Sequence, residues 1–331
     1  MEKFVRASEK LKNIGYLGII GFFGSIYNIP LLRWFHIFII FFIFGLVKPL
    51  YWKGQNSETE EQAYKVKEYA KKEYEDAVLK QSLVQLWGMV YTPLKHIFRM
   101  PSINNRKAKI NYILPFTGKW VVVNGGFTKK HSHSWWIFTQ RYAYDFIQMD
   151  DSGNYAHGDK TKLESYLCYG KGIIAPADGV VVETQNNYND SRVDGKNAYC
   201  DAPDMRGNFI TIRHSLHEYS VIAHLAPRSI TVKAGETVMQ GQVIAKCGNS
   251  GNTSMPHVHF QLQTTRNFFT AAGLPIAFSN ITAEPKTNYG LLDPRNCGDN
   301  IMMMDDEIYI ARGLEVGNVS ISYLQKGFPK N

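Results

Sequence analysis

The 331 residues include only four cysteines, Cys168, Cys200, Cys247 and Cys297, and no two of them form a Cys-x-x-Cys pair. That spacing argues against a zinc knuckle. Cys168 and Cys200 bracket one loop-rich stretch and could pair in an oxidising compartment; small buried core thiols are the other reading. The chain lacks a compact Arg/Lys-rich recognition helix and an RNA-binding aromatic motif, so nucleic acid is not expected as a partner despite a formal net charge of +8. The positive excess fits a basic surface that meets acidic lipid headgroups or wall polymers. There is no convincing internal repeat. No small-residue cleavage site follows the first apolar stretch, which therefore reads as an anchor and not as a removed signal peptide.

That apolar stretch is the first feature present. Residues 14–32 and 34–47 are almost free of charge and are separated only by Arg33. A straight helix needs roughly 20 residues to cross a hydrocarbon core of about 30 Å, so the run is too long for one. Asn28 and Pro30 mark a break. The chain either turns as a helical hairpin near 27–30 or spans once over about 29–51 after an interfacial segment, with Trp34, Tyr51 and Trp52 in the aromatic belts. Lys3, Arg6, Lys10 and Lys12 precede the run and Lys48 and Lys53 follow it. Charge on both sides fits a hairpin with both ends inside, whereas one span would put the remainder outside. Residues 1–53 are thus expected to hold the protein in the cell membrane, single- or double-pass, against membrane lipids.

Residues 54–110 read as a charged helical linker. "EEQAYKVKEYAKKEYEDAV" has the pattern of an amphipathic stalk or surface helix. From about Tyr112 the chain becomes mainly β, with β-branched and aromatic runs between Gly, Asn and Pro turns. Residues 111–285 are expected to form one antiparallel domain. Residues 286–331 form a strand-rich extension, in which "EIYIARGLEVGNVSISYL" predicts a strand pair.

Three stretches carry chemistry. In "PHVHFQL", two-residue strand spacing puts His257 and His259 on one face and turns Val258 and Phe260 into a core. Two imidazoles so placed can share a metal, or one can bind it while the other moves protons. The preceding "GNSGNTSM" is a turn-rich loop with backbone free to meet a ligand. In "YSVIAHLAP", alternation groups Ser220, Ile222 and His224 on one face, with His224 at the strand end, a suitable place for a general base. In "QRYAYDF", Asp145 sits among apolar neighbours and needs a metal, several hydrogen bonds or an ion pair, for which Arg141 is at hand.

"KAGETVMQGQVIAKCGNSGNTSMPHVHFQL", preceded in order by "APADGVVVET", "GNFITIRH" and "VIAHLAPRSITV", resembles the lysostaphin-type zinc peptidases, the peptidoglycan endopeptidase fold. The resemblance covers roughly residues 115–285. It implies an antiparallel β-sheet/β-roll domain and a site in which Asp145 and His259 are zinc ligands. His224 and His257 would then work on the attacking water, and a groove would hold an extended peptidoglycan peptide. The family's first ligand is a histidine four residues before the aspartate, where this chain has Arg141. Guanidinium has no lone pair for a metal. Either a histidine of "KKHSHSWW", His133 or failing that His131, completes the zinc site, or the domain is catalytically impaired and binds wall peptide or regulates another hydrolase. Two weaker readings remain. "VKAGETVMQGQVIAK" has the hairpin pattern of a lipoyl or biotinyl carrier but lacks its turn lysine, and a transporter accessory role rests on the anchor alone.

Overall fold

The computed structural model describes residues 61–97, 99–106, 109–295, 300–304 and 307–319. The chain divides into two units, residues 1–69 and 70–331, and nearly all the described residues belong to the second. The apolar run and the anchor expected over 1–53 lie outside the described residues. Among the described residues no helix is long and apolar enough to cross a membrane.

Helix α1 spans Glu61–Lys95. Its Glu, Lys, Gln and Ala content favours helix, and it runs past the charged stretch that announced it in the sequence. It passes through Gly88, where any Cβ would collide with the Phe269 carbonyl, so glycine permits the close approach. Pro93 stands two residues before its end. The Tyr74 hydroxyl and the Gln81 amide donate to the Cys200 and Pro203 carbonyls. Gln81 Oε1 accepts from Met205 N at 3.1 Å, and Thr92 Oγ1 donates to Thr270 O at 3.1 Å. Of the two sequence readings, stalk or surface helix, these bonds select a helix strapped to the β domain.

Sixteen strands follow among the described residues. The first eight are β1 (Lys119–Asn124), β2 (Tyr144–Ile147), β3 (Gly172–Ile174), β4 (Gly179–Gln185), β5 (Tyr199–Cys200), β6 (Asn208–Ser215), β7 (Glu218–Leu225) and β8 (Thr237–Val238). The rest are β9 (Val243–Lys246), β10 (Asn252–Thr253), β11 (Val258–Gln263), β12 (Gly273–Leu274), β13 (Ile281–Pro285), β14 (Ile301–Met304), β15 (Glu307–Ile310) and β16 (Leu314–Asn318). A ten-stranded sheet runs β13-β16-β1-β2-β11-β7-β6-β4-β8, with β12 beside β11. Its pairings are antiparallel, as expected for the mainly β domain.

The stretch predicted near the C-terminus as a strand pair holds two strands, but among the described residues they do not pair with each other. β15 pairs with β14, whereas β16 inserts between β13 and β1. The backbone between them is captured instead: Arg312 N donates to Gly125 O and Gly313 N to Val122 O. The last described strand is thus built into the sheet next to the strand that flanks Asp145.

Alternation in β2 and β11 sorts the two faces. Tyr144, Phe146, Val258, Phe260 and Leu262 enter the hydrophobic core with Ile222 of β7. Phe116 knits that core, 4.6 Å from Trp120 and 4.9 Å from Phe146 between ring centroids. Asp145, His259, Gln261 and Gln263 lie on the opposite face, which loops also cover, so that all four are buried.

Candidate metal centre

Strand register assembles the centre. β2 and β11 pair so that Asp145 stands opposite His259, and β11 and β7 pair so that His259 stands opposite Ala223. Asp145 Oδ1 is 3.0 Å from His259 Nδ1 and 3.7 Å from His257 Nε2. Asp145 Oδ2 is 3.6 Å from His133 Nε2 and accepts from Asn124 Nδ2 at 3.2 Å. Four residues expected from the sequence, His133, Asp145, His257 and His259, therefore meet around one carboxylate.

His224 arrives by a different route from the one simple alternation suggests. Ile222 faces the core, so a regular strand would send His224 there too. Instead the β6–β7 register slips: Ile210 opposes Ile222 but Asn208 opposes Leu225, giving β7 one extra residue. His224 occupies that bulge with φ +61°, a left-handed conformation rare for a histidine. The twist swings its ring to 4.6 Å from His257 and 5.9 Å from His259. The grouping of His224 with Ile222 on one face is corrected accordingly. The bulge is held by the loop after β9: Gly248 N donates to His224 O, and Ser250 Oγ donates to Leu225 O at 2.7 Å. That loop crosses Gly207 closely enough that a Cβ there would strike Ser250 and Gly251.

Hydrogen bonds fix which nitrogen of each ring faces inward. His224 Nδ1 is 2.7 Å from Ser250 O and His257 Nδ1 is 2.8 Å from Met255 O. Carbonyls only accept, so both Nδ1 atoms carry hydrogen and both Nε2 atoms keep lone pairs in the neutral rings. His259 is reversed. Gln261 Nε2 donates to Gln263 Oε1 at 2.7 Å and to Thr139 O at 3.3 Å, which leaves Gln261 Oε1 as acceptor for His259 Nε2–H at 2.9 Å. Gln263 is anchored in turn by the Thr265 and Arg266 carbonyls. His259 Nδ1 therefore points at Asp145.

Burial would raise the Asp145 carboxyl, but the His133, His259 and His257 imidazoles outweigh it and hold the group ionised, well below the usual range. Burial pulls His224 far down, aided by His257 and His259. Burial also lowers His257, with Asp145 opposing. For His259 burial again acts downward, but the Asp145 and Gln261 bonds win and raise it. Around the ionised carboxylate, His224 and His257 are thus biased toward their neutral forms and His259 toward its protonated form.

That arrangement bears on metal. The described residues contain no ready-closed cage of three or more His, Cys, Asp or Glu donors. The donor chemistry nevertheless fits zinc. With Nε2–H committed to Gln261, a neutral His259 would set its Nδ1 lone pair against a carboxylate oxygen 3.0 Å away. Two acceptors at that distance need a proton or a metal between them, and N and O donors of this kind suit zinc.

Other sequence expectations resolve as follows. Arg141 does not pair with Asp145; the ion-pair partners of Asp145 are histidines. Its guanidinium lies 4.9 Å from the Trp135 and Phe138 ring centroids and donates to Trp135 O. His131 is turned onto Thr128 Oγ1, at 3.0 Å. Cys168 and Cys200 are free thiols, directed at Pro256 O and Ala202 O, so the pairing between them is not formed; Cys297 lies outside the described residues. Sequence reasoning missed Asn124, Ser250 and Gln261. Gln261 was legible, two residues from His259 on the same strand face, whereas Asn124 and Ser250 enter through tertiary contacts.

The fold and this polar cluster define a mainly β domain with a buried carboxylate ringed by imidazoles. Residues 164–270 match the family model described as Peptidase family M23, which bears out the lysostaphin-type resemblance. That segment holds His224, His257 and His259, while Asp145 and His133 precede it. Over 92 residues the chain is 35% identical to "Peptidoglycan DD-endopeptidase ShyC" of Vibrio cholerae, covering 28% of this chain and 17% of that protein. It is 33% identical over 92 residues to an "Uncharacterized metalloprotease" of Haemophilus influenzae, covering 28% and 16%. The chain thus spans about a sixth of the length of these curated relatives. The catalytic domain of lysostaphin from Staphylococcus simulans aligns at 23% identity over 51% of this chain and 90% of that one, with a TM-score of 0.27.

Proposed function

We propose that this chain is a zinc metalloendopeptidase that hydrolyses the peptide cross-links of peptidoglycan. It is held at the cell membrane by residues 1–53, with the domain over 111–285 outside the cytoplasm. The observation that supports it most is the set of inward-facing lone pairs around Asp145, each fixed by a bond on the far side of its ring. Asp145, His259 and His133 would hold the zinc. Bound there, zinc would supply Lewis-acid polarisation of a peptide carbonyl and acidify a water molecule. Asn124 and Gln261 orient the carboxylate and the His259 ring.

His224 and His257 do the proton work. Burial keeps both neutral near pH 7, so each offers an Nε2 lone pair to an attacking water. Once protonated, either can pass the proton to the leaving amine or donate to the developing oxyanion. Their rings are too firmly bonded at Nδ1 to turn away during this exchange.

The competing reading is a domain of the same fold that binds wall peptide without cutting. It draws on Arg141, which stands where the family has a histidine. Digestion of purified peptidoglycan, followed by mass spectrometry of released peptides, separates the two. The proposal expects new amine termini at cross-links, lost in His224→Ala while zinc is retained. Intact cross-links with the zinc-loaded wild type would leave only the binding reading.

A further inference from the structure

From Tyr74 to Lys95, helix α1 presents two opposed faces, and among these described side chains one face meets the domain. Tyr74, Gln81, Gly88 and Thr92 meet the β domain. At about 100° per residue these positions cluster on one side of the helix. Leu83, Leu86, Trp87, Val90 and Leu94 fall in an arc of about 100° on the opposite side. Each is more than half exposed, as is Ile97 just beyond the helix end. Six large apolar side chains in one solvent-facing row exceed the scattered exposure that needs no explanation.

Charge indicates what covers the row. Residues 77–118 carry six Lys or Arg and no Asp or Glu. Lys80 and Lys95 bracket the stripe on the same helix. Trp87 and Tyr91 stack with ring centroids 6.1 Å apart, and Lys95 Nζ lies 5.8 Å from the Tyr91 centroid. Aromatic rings beside basic termini suit the boundary between acyl chains and anionic headgroups. A second copy of the chain is less suited: the row covers about two heptads and ends in a turn with Pro93, short for a coiled-coil seam. The 60 residues before the helix, with their apolar run at 14–47, lead directly into it.

We infer that the outer face of α1, from Leu83 to Ile97, lies in the surface of an anionic lipid bilayer and seats the β domain on the membrane. This rests on the proposed membrane location but is separable from the anchor over 1–53. A single span or hairpin would fix the chain at the membrane while leaving the domain free to swing; the stripe would fix its attitude.

The test uses the full chain reconstituted into phosphatidylethanolamine/phosphatidylglycerol vesicles, with a photoreactive benzophenone side chain placed at Leu86 or at Val90. A third protein carries it at the exposed Lys233 of the β domain. The expected result is phospholipid adducts at 86 and 90 in at least tenfold excess over 233. Adducts to a second copy, adducts to residues 14–47 of the same chain, or lipid adducts no more frequent than at 233 would overturn the inference. A high-salt wash of the same vesicles tests the anchor independently. Retention without adducts at 86 and 90 leaves the anchor standing and removes the stripe; adducts before a wash that releases the chain do the reverse.

Discussion

Replacing Gln261 with leucine tests whether this side chain fixes the His259 tautomer at the proposed zinc site. The side chain is fully buried and makes three contacts. It accepts from His259 Nε2, donates to Gln263 Oε1 and reaches Thr139 O. Leucine is of similar size but leaves the His259 Nε2–H and Gln263 Oε1 without those partners. Each buried orphan costs about 1–3 kcal/mol, so Gln261→Leu should destabilise the metal-stripped protein by roughly 2–6 kcal/mol in a urea titration. The second effect is on metal. A ring free to exchange its proton between nitrogens no longer offers Nδ1 reliably, and losing such an orienting partner weakens metal binding by about 10–100-fold. Competition against a chromogenic chelator measures this directly. Gln261→Glu is the control, because it keeps an acceptor at Nε2 and should bind zinc at least as tightly as the wild type. A leucine variant that folds and binds zinc within about twofold of the wild type would show that Gln261 does not set the His259 tautomer.

Two further outcomes follow from the geometry. Arg141→His should leave zinc content unchanged, because position 141 projects between Trp135 and Phe138 and His133 already faces Asp145; a sharp rise in bound zinc would show that the centre lacks a ligand. His214, bonded to Asp178 O and Ser220 Oγ, is lowered mainly by burial, so the unfolded chain binds its proton first as pH falls. Its contribution is complete above an unfolded pKa of about 6.5 and is lost below it, by at most about 1.4 kcal/mol per pH unit. The difference in stability between wild type and His214→Gln should therefore shift between pH 7 and pH 5 and stay constant above pH 7.

The sequence displayed the fold through local signals. Two-residue alternation in "PHVHFQL" placed His257 and His259 apart from Val258 and Phe260, and the structure keeps that division. The register that sets Asp145 against His259 could not be read, because 114 residues separate them and only sheet order brings them together. His224 was found as a residue but put on the wrong face, since a one-residue bulge leaves no mark in the alternation. The route of β16 was missed for a related reason: β15 and β16 adjoin in sequence, but their intervening turn bonds to β1. Arg141 drew attention as a charge near Asp145, yet two aromatic rings nearby hold it elsewhere. The helix ended later than its charged stretch suggested because contacts with Cys200, Pro203 and Thr270 support turns whose outward residues are apolar.

Asp145, His259 and His133 are proposed to hold one zinc ion together. Elemental analysis of the full chain, purified without chelator and compared with His133→Ala, tests it most directly. About one zinc per chain is expected in the wild type, since a site with three protein ligands would hold a single ion, and little in the variant. A wild-type protein that stays metal-free after refolding with added zinc, or a His133→Ala variant that keeps its full complement, would contradict it.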